Sequence, residues 1–184
     1  MNKKITVILT TLLMMLAGQS LASESSPYAG EETREIKALS KSQIAGLLAG
    51  KGMGYGKAAE LNGYPGPAHV LELQEALALT AEQRKATETI FQQMQAAAKD
   101  LGADLVAAEG ALDNAFSNKL IDDSSLAELV NTIGDIESRL RAVHLRAHLQ
   151  QVEILNDQQI AKYMTLRGYG RAKQGHHHEH HPRK

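Results

Sequence analysis

The chain has 184 residues, with 20 basic and 21 acidic side chains and no cysteine. This near balance of charge gives no reason to expect a nucleic-acid partner. Because cysteine is absent, a disulfide framework and a thiolate metal site are both excluded, and any metal must be bound by His and carboxylate side chains. With two Phe and no Trp, the core is expected to consist of Leu, Ile, Val, Met and Ala.

The first 22 residues have the pattern of a cleaved secretory signal. Lys3 and Lys4 precede an apolar run from Ile5 to Ala17, and a small-x-small site follows at Ser20-Leu21-Ala22. The run is shorter than the roughly 20 residues that span a bilayer, which disfavours the alternative of an uncleaved anchor. Cleavage after Ala22 would leave an exported, soluble chain with 18 basic and 21 acidic residues.

Residues 23–66 are predicted to form a flexible N-terminal segment with short helices, and residues 23–34 are expected to be disordered. Ser40 and Gln43 have capping-box spacing, which predicts a helix from about Lys41 to Ala49. The glycine-rich stretch 50–66 lacks the first Gly and the final Ser or Thr of a phosphate-binding loop. It is therefore predicted to be loop around one helical turn at residues 57–61.

A long helical hairpin is predicted from residue 67 onward. Pro67 begins a helix that continues to about Leu79. A long helix follows to about Ser117, and Asp122 or Asp123 caps a second one. Their apolar positions step by three and four residues: Ile90, Met94, Ala97, Leu101, Leu105, Ala108, Leu112 and Phe116 in the first, and Leu126, Leu129, Ile133, Ile136, Leu140, Val143, Ala147 and Ile154 in the second. The short connection makes the two helices antiparallel neighbours.

A final helix is predicted to about Leu166, and no segment has the alternation of a β-strand. The predicted fold class is all-α: a long antiparallel helical hairpin flanked by shorter helices. The hairpin domain covers residues 67–168, and residues 169–184 are predicted to be a disordered His-rich tail.

Two similar motifs stand at the helix junctions. Leu79-Thr80-Ala81-Glu82-Gln83 and Leu155-Asn156-Asp157-Gln158-Gln159 both place a capping residue three positions before Gln. Residues 67–167 resemble the Spy/CpxP superfamily of periplasmic proteins, which have a paired LTxxQ motif. The residues that carry the resemblance are Leu79, Thr80, Gln83, Leu155, Asn156 and Gln159. The second copy departs from the motif, with Asn156 in place of Thr. Helix-borne histidines add a similarity to its metal-resistance branch, the zinc-resistance-associated and CnrX-like proteins.

The resemblance implies a periplasmic protein that forms a curved, cradle-like homodimer. It also implies one of three activities: an ATP-independent chaperone, a modulator of a sensor kinase, or a metal binder. The segment from Leu39 to Gly66 has no counterpart among the motifs of that superfamily.

His144 and His148 lie one helical turn apart, a spacing that can present a metal ion. Leu145 follows the first His where a zincin has Glu, so a protease is excluded. His69 or Glu72 could complete a set of ligands for Zn, Cu or Ni. The alternative is a pair of packing histidines between two apolar strips of the helix. The second strip, Leu145 and Leu149, would then need a cover: the helix after Pro67, the N-terminal segment or a second subunit.

The tail contains a second group of imidazoles. These are His176, His177, His178, His180 and His181. The interruption by Glu179 indicates a native sequence rather than an affinity tag. Such a cluster can bind Zn, Cu or Ni with low geometric selectivity and loses them as the imidazoles protonate, although it could also be only a solubilising terminus.

An enzyme is not expected, because the sequence has no nucleophile–base pattern and no nucleotide loop. The favoured function is a periplasmic, chaperone-like stress protein with capacity for a divalent metal. The alternative is a dedicated sensor or buffer of Zn, Cu or Ni that could modulate a signalling system. No metal is expected to be required for folding. The expected partners are a second copy of the chain and unfolded proteins or metal ions, with no nucleic acid and no stable membrane insertion.

Overall fold

A computed structural model describes residues 26–169. These residues form six α-helices: α1 (Lys41–Leu48), α2 (Lys57–Glu60), α3 (Pro67–Glu72), α4 (Ala81–Ser117), α5 (Asp123–Val152) and α6 (Asp157–Leu166). A short 3-10 helix, Glu31–Thr33, precedes them, and this range contains no strand. The predicted all-α class and the long packed helix pair are therefore confirmed. The expected signal segment and the His-rich tail lie outside the described residues.

The centre of the fold is the antiparallel pair α4 and α5. The 37 residues of α4 make a rod of about 55 Å. Thr80 caps α4 as the sequence predicts, and of the two candidates Asp122 and Asp123 it is Asp122 that caps α5. Leu101 and Leu105 of α4 pack with Ile133, Ile136 and Leu140 of α5. The predicted three-and-four stepping therefore forms the seam in the middle of the hairpin.

The seam does not continue to the turn. Phe116 is 54% exposed and Leu120 is 77% exposed, and Leu126 and Val130 on the opposite side of the turn are exposed as well. The sequence pattern assigned Phe116 and Leu126 to the buried seam, and at these two positions that prediction is wrong. Near the turn, the described part of the chain provides no third element that could cover both helices.

The segment before the hairpin packs onto it. Helix α1 begins at a Ser40–Gln43 capping box and lies against α4. The two helices approach closely at Gly102, where an added Cβ would overlap the backbone carbonyl of Leu47. Leu47 joins the hairpin seam as a buried member. Glycine at position 102 therefore lets the end of α1 reach the central core.

Helix α3 is shorter than predicted. It ends at Glu72, and residues 73–80 turn back toward the start of α4. Ala78 has a φ of 50°, in the left-handed region that L-residues rarely adopt. The bend buries Leu77 with Val70, Leu155 and Tyr163 in a second small core. Burial of Leu77 outweighs the local preference for a continuous helix, which the periodicity could not reveal.

The two LTxxQ-like junctions meet in space. The Gln83 Nε2 donates to Gln159 Oε1 at 2.9 Å, and Gln159 Nε2 donates to Gln83 Oε1 at 3.0 Å. Each amide also donates to a main-chain carbonyl of the other junction, Gln83 to Ile154 and Gln159 to Leu77. Because each Gln also closes its own capping box, the pair joins the starts of α4 and α6 at the open end of the hairpin.

Candidate functional site

His144 and His148 lie on the last turns of α5, facing the glycine-rich segment. Their residues are 3% and 9% exposed, respectively. In contrast, Leu149 is 54% exposed and Leu145 is half-buried. Of the three covers that the sequence leaves open for Leu149, neither the helix after Pro67 nor the described part of the N-terminal segment buries it, and a second subunit stays a prediction. The N-terminal segment covers the histidines instead of the apolar strip beside them.

His148 is held in one tautomer by the segment that covers it. Its Nδ1 lies 2.7 Å from the carbonyl oxygen of Tyr64. Since a carbonyl only accepts, Nδ1 carries a hydrogen, and the Nε2 of the neutral ring keeps its lone pair. Donation of Nδ1–H to a main-chain carbonyl is also the arrangement that orients many metal-binding histidines.

Two glycines explain how the segment lies so close to this ring. An added Cβ at Gly56 would overlap Nε2 of His148, and one at Gly66 would lie 2.9 Å from its Cε1. Neither glycine has a positive φ, so the absence of a side chain, rather than backbone freedom, is what these positions require. The glycine-rich stretch thus forms a close-fitting cover over His148.

Glu60 is the centre of a buried hydrogen-bond network behind His148. Its Oε1 accepts from the hydroxyl of Tyr163 at 2.6 Å, from the hydroxyl of Tyr169 at 3.0 Å and from Arg167 Nε at 3.3 Å. Its Oε2 accepts from the Gly66 backbone N–H at 3.2 Å and lies 3.8 Å from His148 Nδ1. Because burial, followed by the contact with Glu60, raises the pKa of Tyr163, its hydroxyl remains a donor.

His144 lies one turn before His148 and is buried without full hydrogen bonding. Its Nε2 has no hydrogen-bond partner in the described part of the chain. The ring stacks on Tyr55 with centroids 5.8 Å apart and planes within 7°. Burial lowers the pKa of His144, and the neighbouring His148 lowers it further, so the neutral ring is favoured. An orphaned ring nitrogen is therefore available beside that of His148.

The other two predicted ligands lie on α3. His69 Nδ1 is 2.9 Å from Glu72 Oε2; His69 is half-buried and Glu72 is exposed. They line a cleft of about 650 Å³ that also contains His144, His148 and Tyr169. Within residues 26–169, however, no three His, Asp or Glu side chains converge as a metal-binding group. The structure thus places all four predicted residues around one cleft without joining them as one set.

Sequence reasoning missed Glu60, Tyr163 and the role of the segment 50–66. A polar residue inside a glycine-rich stretch gives no sign of burial, and the partners of Glu60 lie about 100 positions later. The available signal was the glycine density itself: Gly50, Gly52, Gly54 and Gly56 alternate along the chain, a pattern that indicates close backbone approach.

No protein-family model matches this chain, and the comparisons with curated proteins and with solved structures found no significant similarity. Among the described residues, none of the helices combines the length and apolar composition needed to cross a bilayer.

Proposed function

We propose that this chain is a non-enzymatic, periplasmic stress protein that binds unfolded polypeptides without ATP and has capacity for a divalent metal ion. The resemblance of the paired LTxxQ motif to the Spy/CpxP superfamily supports the general class. The chaperone part is carried by one observation, the exposed apolar residues at the turn of the hairpin.

These residues form what we call the turn patch: Phe116, Leu120, Leu126 and Val130. Phe116 also lines a cleft of about 460 Å³, together with Lys37, Ala38 and Leu112. Apolar side chains grouped on an otherwise polar surface are typical of sites that bind other polypeptides. The adjacent charged groups Lys37, Asp113 and Glu109 would keep such binding weak and reversible.

The chaperone proposal is tested by suppression of aggregation of an unrelated unfolded protein. The metal-free chain should suppress aggregation at near-stoichiometric ratios, and Phe116→Ser with Leu120→Ser should reduce the effect. Leu149→Ser is the control, because Leu149 is as exposed as Phe116 but lies at the other end of the hairpin. No suppression by the unaltered chain, with or without zinc, would refute the proposal.

The metal part is supported by the His144–His148 pair. The pair offers two ring nitrogens on one helix side: the orphaned Nε2 of His144 and the Nε2 of His148, whose tautomer is set by the Tyr64 carbonyl. Imidazole donors without thiolates fit Zn, Cu or Ni. His69 and Glu72, which line the same cleft, are the nearest candidates for further ligands.

A dedicated metal sensor or buffer is the second candidate. The close cover of Gly56 over His148 favours it, because a metal at Nε2 would have to displace that segment and would so couple binding to a change of shape. A sensor should bind zinc and change the protection of residues 50–66 in hydrogen exchange, yet show no effect on aggregation. Zinc-dependent suppression by the same protein would contradict a purely sensing role.

A further inference from the structure

We propose that Met53 and Met94 complete a site for monovalent copper, Cu(I), at the His144–His148 pair, in which thioether sulfur and imidazole nitrogen bind the ion together. This inference rests on the proposed metal function, whose histidines it uses, and it specifies the ion and the missing ligands. All four side chains belong to the described part of the chain.

The histidine pair lacks further donors of the usual kind. Zinc usually takes four ligands, and within residues 26–169 no three His, Asp or Glu side chains converge as a metal-binding group. The other imidazole of the cleft, His69, is paired with Glu72 at 2.9 Å. A complete site at the pair therefore needs protein donors that are neither imidazole nor carboxylate.

Methionine sulfur is the donor that the same cleft offers. The described part of the chain contains three methionines, and two of them, Met53 and Met94, line the cleft of about 650 Å³ together with both buried histidines. Met53 precedes α2, Met94 belongs to α4 and the histidines belong to α5, so the tertiary fold brings three separate parts of the chain to this cleft. The third methionine, Met164, packs instead against the second small core.

Neither cleft methionine is enclosed in the hydrophobic core, where methionine ordinarily fills gaps. Met53 is 44% exposed and Met94 is half-buried. Met53 also has a φ of 41°, in the left-handed region that L-residues rarely adopt, and such strain is concentrated at sites that bind ligands. Its Sδ rests against Gly46 of α1, and the unbranched, flexible side chain lets the sulfur turn toward the histidines. Core packing does not explain this placement, whereas a role as a ligand does.

The chemistry of these donors selects copper in its monovalent state. Thioether sulfur is a soft ligand that favours Cu(I) over zinc, and imidazole nitrogen binds copper as well. The charged side chains that line the cleft are Lys51, Lys57, Glu60 and Glu72. Their charges balance, so the cleft has no excess of negative charge to compensate a divalent ion. In a partly enclosed cleft a single positive charge is therefore less costly to accommodate than two.

The first test is X-ray absorption of the chain that starts at residue 23, loaded with substoichiometric Cu(I) under ascorbate and without oxygen. This form has no cysteine, and its methionines are Met53, Met94 and Met164. Any sulfur neighbour of copper must therefore be a methionine. We expect sulfur and nitrogen neighbours around one ion. Copper surrounded by nitrogen or oxygen alone would overturn the proposal, and this result does not depend on any variant.

The second test is the affinity for Cu(I), measured by competition with the chelator bicinchoninate. Met53→Leu and Met94→Leu remove the sulfur at nearly constant volume, and each should weaken binding by about tenfold or more. Met164→Leu is the matched control in the second small core and should bind as the unaltered chain does. Equal affinities of all four proteins, or an equal loss in Met164→Leu, would overturn the proposal. Circular dichroism and thermal unfolding establish that each variant is folded.

Zinc titration of the same proteins separates this inference from the proposed function. Because thioether sulfur is a poor ligand for zinc, the methionine variants should leave the affinity for zinc unchanged. His148→Gln should weaken it, although Gln can still donate to the Tyr64 carbonyl that His148 contacts. Zinc binding that needs His148, without sulfur at copper, would overturn the inference and keep the proposed metal capacity. Failure of the unaltered chain to bind either ion would refute the proposed metal function itself.

Discussion

At the scale of single residues, His148 and its glycine cover show how strongly one side chain can constrain a distant segment. The ring is held by the Tyr64 carbonyl at 2.7 Å, and Gly56 and Gly66 lie against its other edge. Residues 50–66 contain the short helix α2 and turn hydrogen bonds such as that from Tyr64 N–H to the Ala59 carbonyl, and the contacts with the imidazole add to these. Substitutions here should therefore act through overlap with the imidazole.

Gly56→Ala should lower the free energy of unfolding by about 1 to 3 kcal/mol, because the new Cβ would overlap His148 Nε2. Gly52→Ala is the matched control: position 52 has open space and no positive φ, so its effect should be near zero. Urea denaturation measures the free energy of unfolding of both variants. Equal stability of the two variants would show that the cover is not closely packed in solution.

The neutral, buried His144 predicts a pH dependence of stability. Burial lowers the pKa of His144 below its ordinary value of 6.5, so below that pH the unfolded chain binds a proton that the folded chain excludes. The free energy of unfolding should then fall with decreasing pH, by at most about 1.4 kcal/mol per pH unit from this group. His144→Leu should reduce the slope between pH 6.5 and 5.

The control for this experiment is Gln151→Leu. Gln151 is likewise buried on α5, and its side-chain oxygen has no hydrogen-bond partner among residues 26–169, but it does not titrate. Its replacement can change the free energy of unfolding at every pH, but the slope of that free energy against pH should stay as in the unaltered chain. A slope that is the same in all three proteins would assign the pH dependence to other groups.

At the scale of elements, the long helices contain glycines with opposite roles. Gly102 of α4 admits the carbonyl of Leu47 at the end of α1, whereas Gly134 of α5 has open space around it. Helix propensity alone treats the two positions as equal, because glycine is unfavourable in both. Only the packing of α1 distinguishes them.

Gly102→Ala should therefore destabilise the protein by about 1 to 3 kcal/mol through overlap with the α1 backbone. Gly134→Ala should stabilise it by about 0.5 to 1 kcal/mol, because alanine has the higher helix propensity. Thermal unfolding of the two variants gives shifts of opposite sign if α1 docks as described. A stabilising effect of both substitutions would mean that α1 does not dock on α4.

At the scale of the whole molecule, the repeated Gln of the capping boxes closes the open end of the hairpin. Gln83 and Gln159 each accept at their own helix start and donate across to the other junction. Besides capping its own helix, each motif therefore makes a tertiary contact: the pair joins two helix starts that are 76 residues apart in the sequence.

Gln159→Glu isolates this cross-junction role, since Glu can still accept from the Asn156 backbone N–H in a capping box but cannot donate. The substitution removes the hydrogen bonds that Gln159 Nε2 donates to Gln83 and to the Leu77 carbonyl. We expect the free energy of unfolding, measured by chemical denaturation near pH 7, to fall by about 1 to 3 kcal/mol. The control is Gln43→Glu, in a capping box of α1 whose Gln makes no cross-junction contact. Similar losses in both variants would contradict a special role for the pair.

Much of the secondary structure was predictable because its causes are local. Capping pairs at Ser40, Thr80, Asp122 and Asn156 mark helix starts that the structure confirms, and three-and-four spacing identified the seam residues of the hairpin. The end of α3 was not predictable, since it depends on the burial of Leu77 against residues of α6 and the turn before it. For the candidate site, the spacing of His144 and His148 was visible, but their cover was not.

The sequence by itself therefore determined the helices, their order and the imidazoles that could bind a metal, because capping, periodicity and side-chain chemistry act over a few residues. Only the tertiary structure decided that the glycine-rich segment covers His148, that Glu60 anchors Tyr169 beside it and that the two LTxxQ glutamines pair. Each of these depends on contacts between groups 70 to 110 positions apart. Local patterns contain no information about such pairs, and the packing of the whole chain selects them.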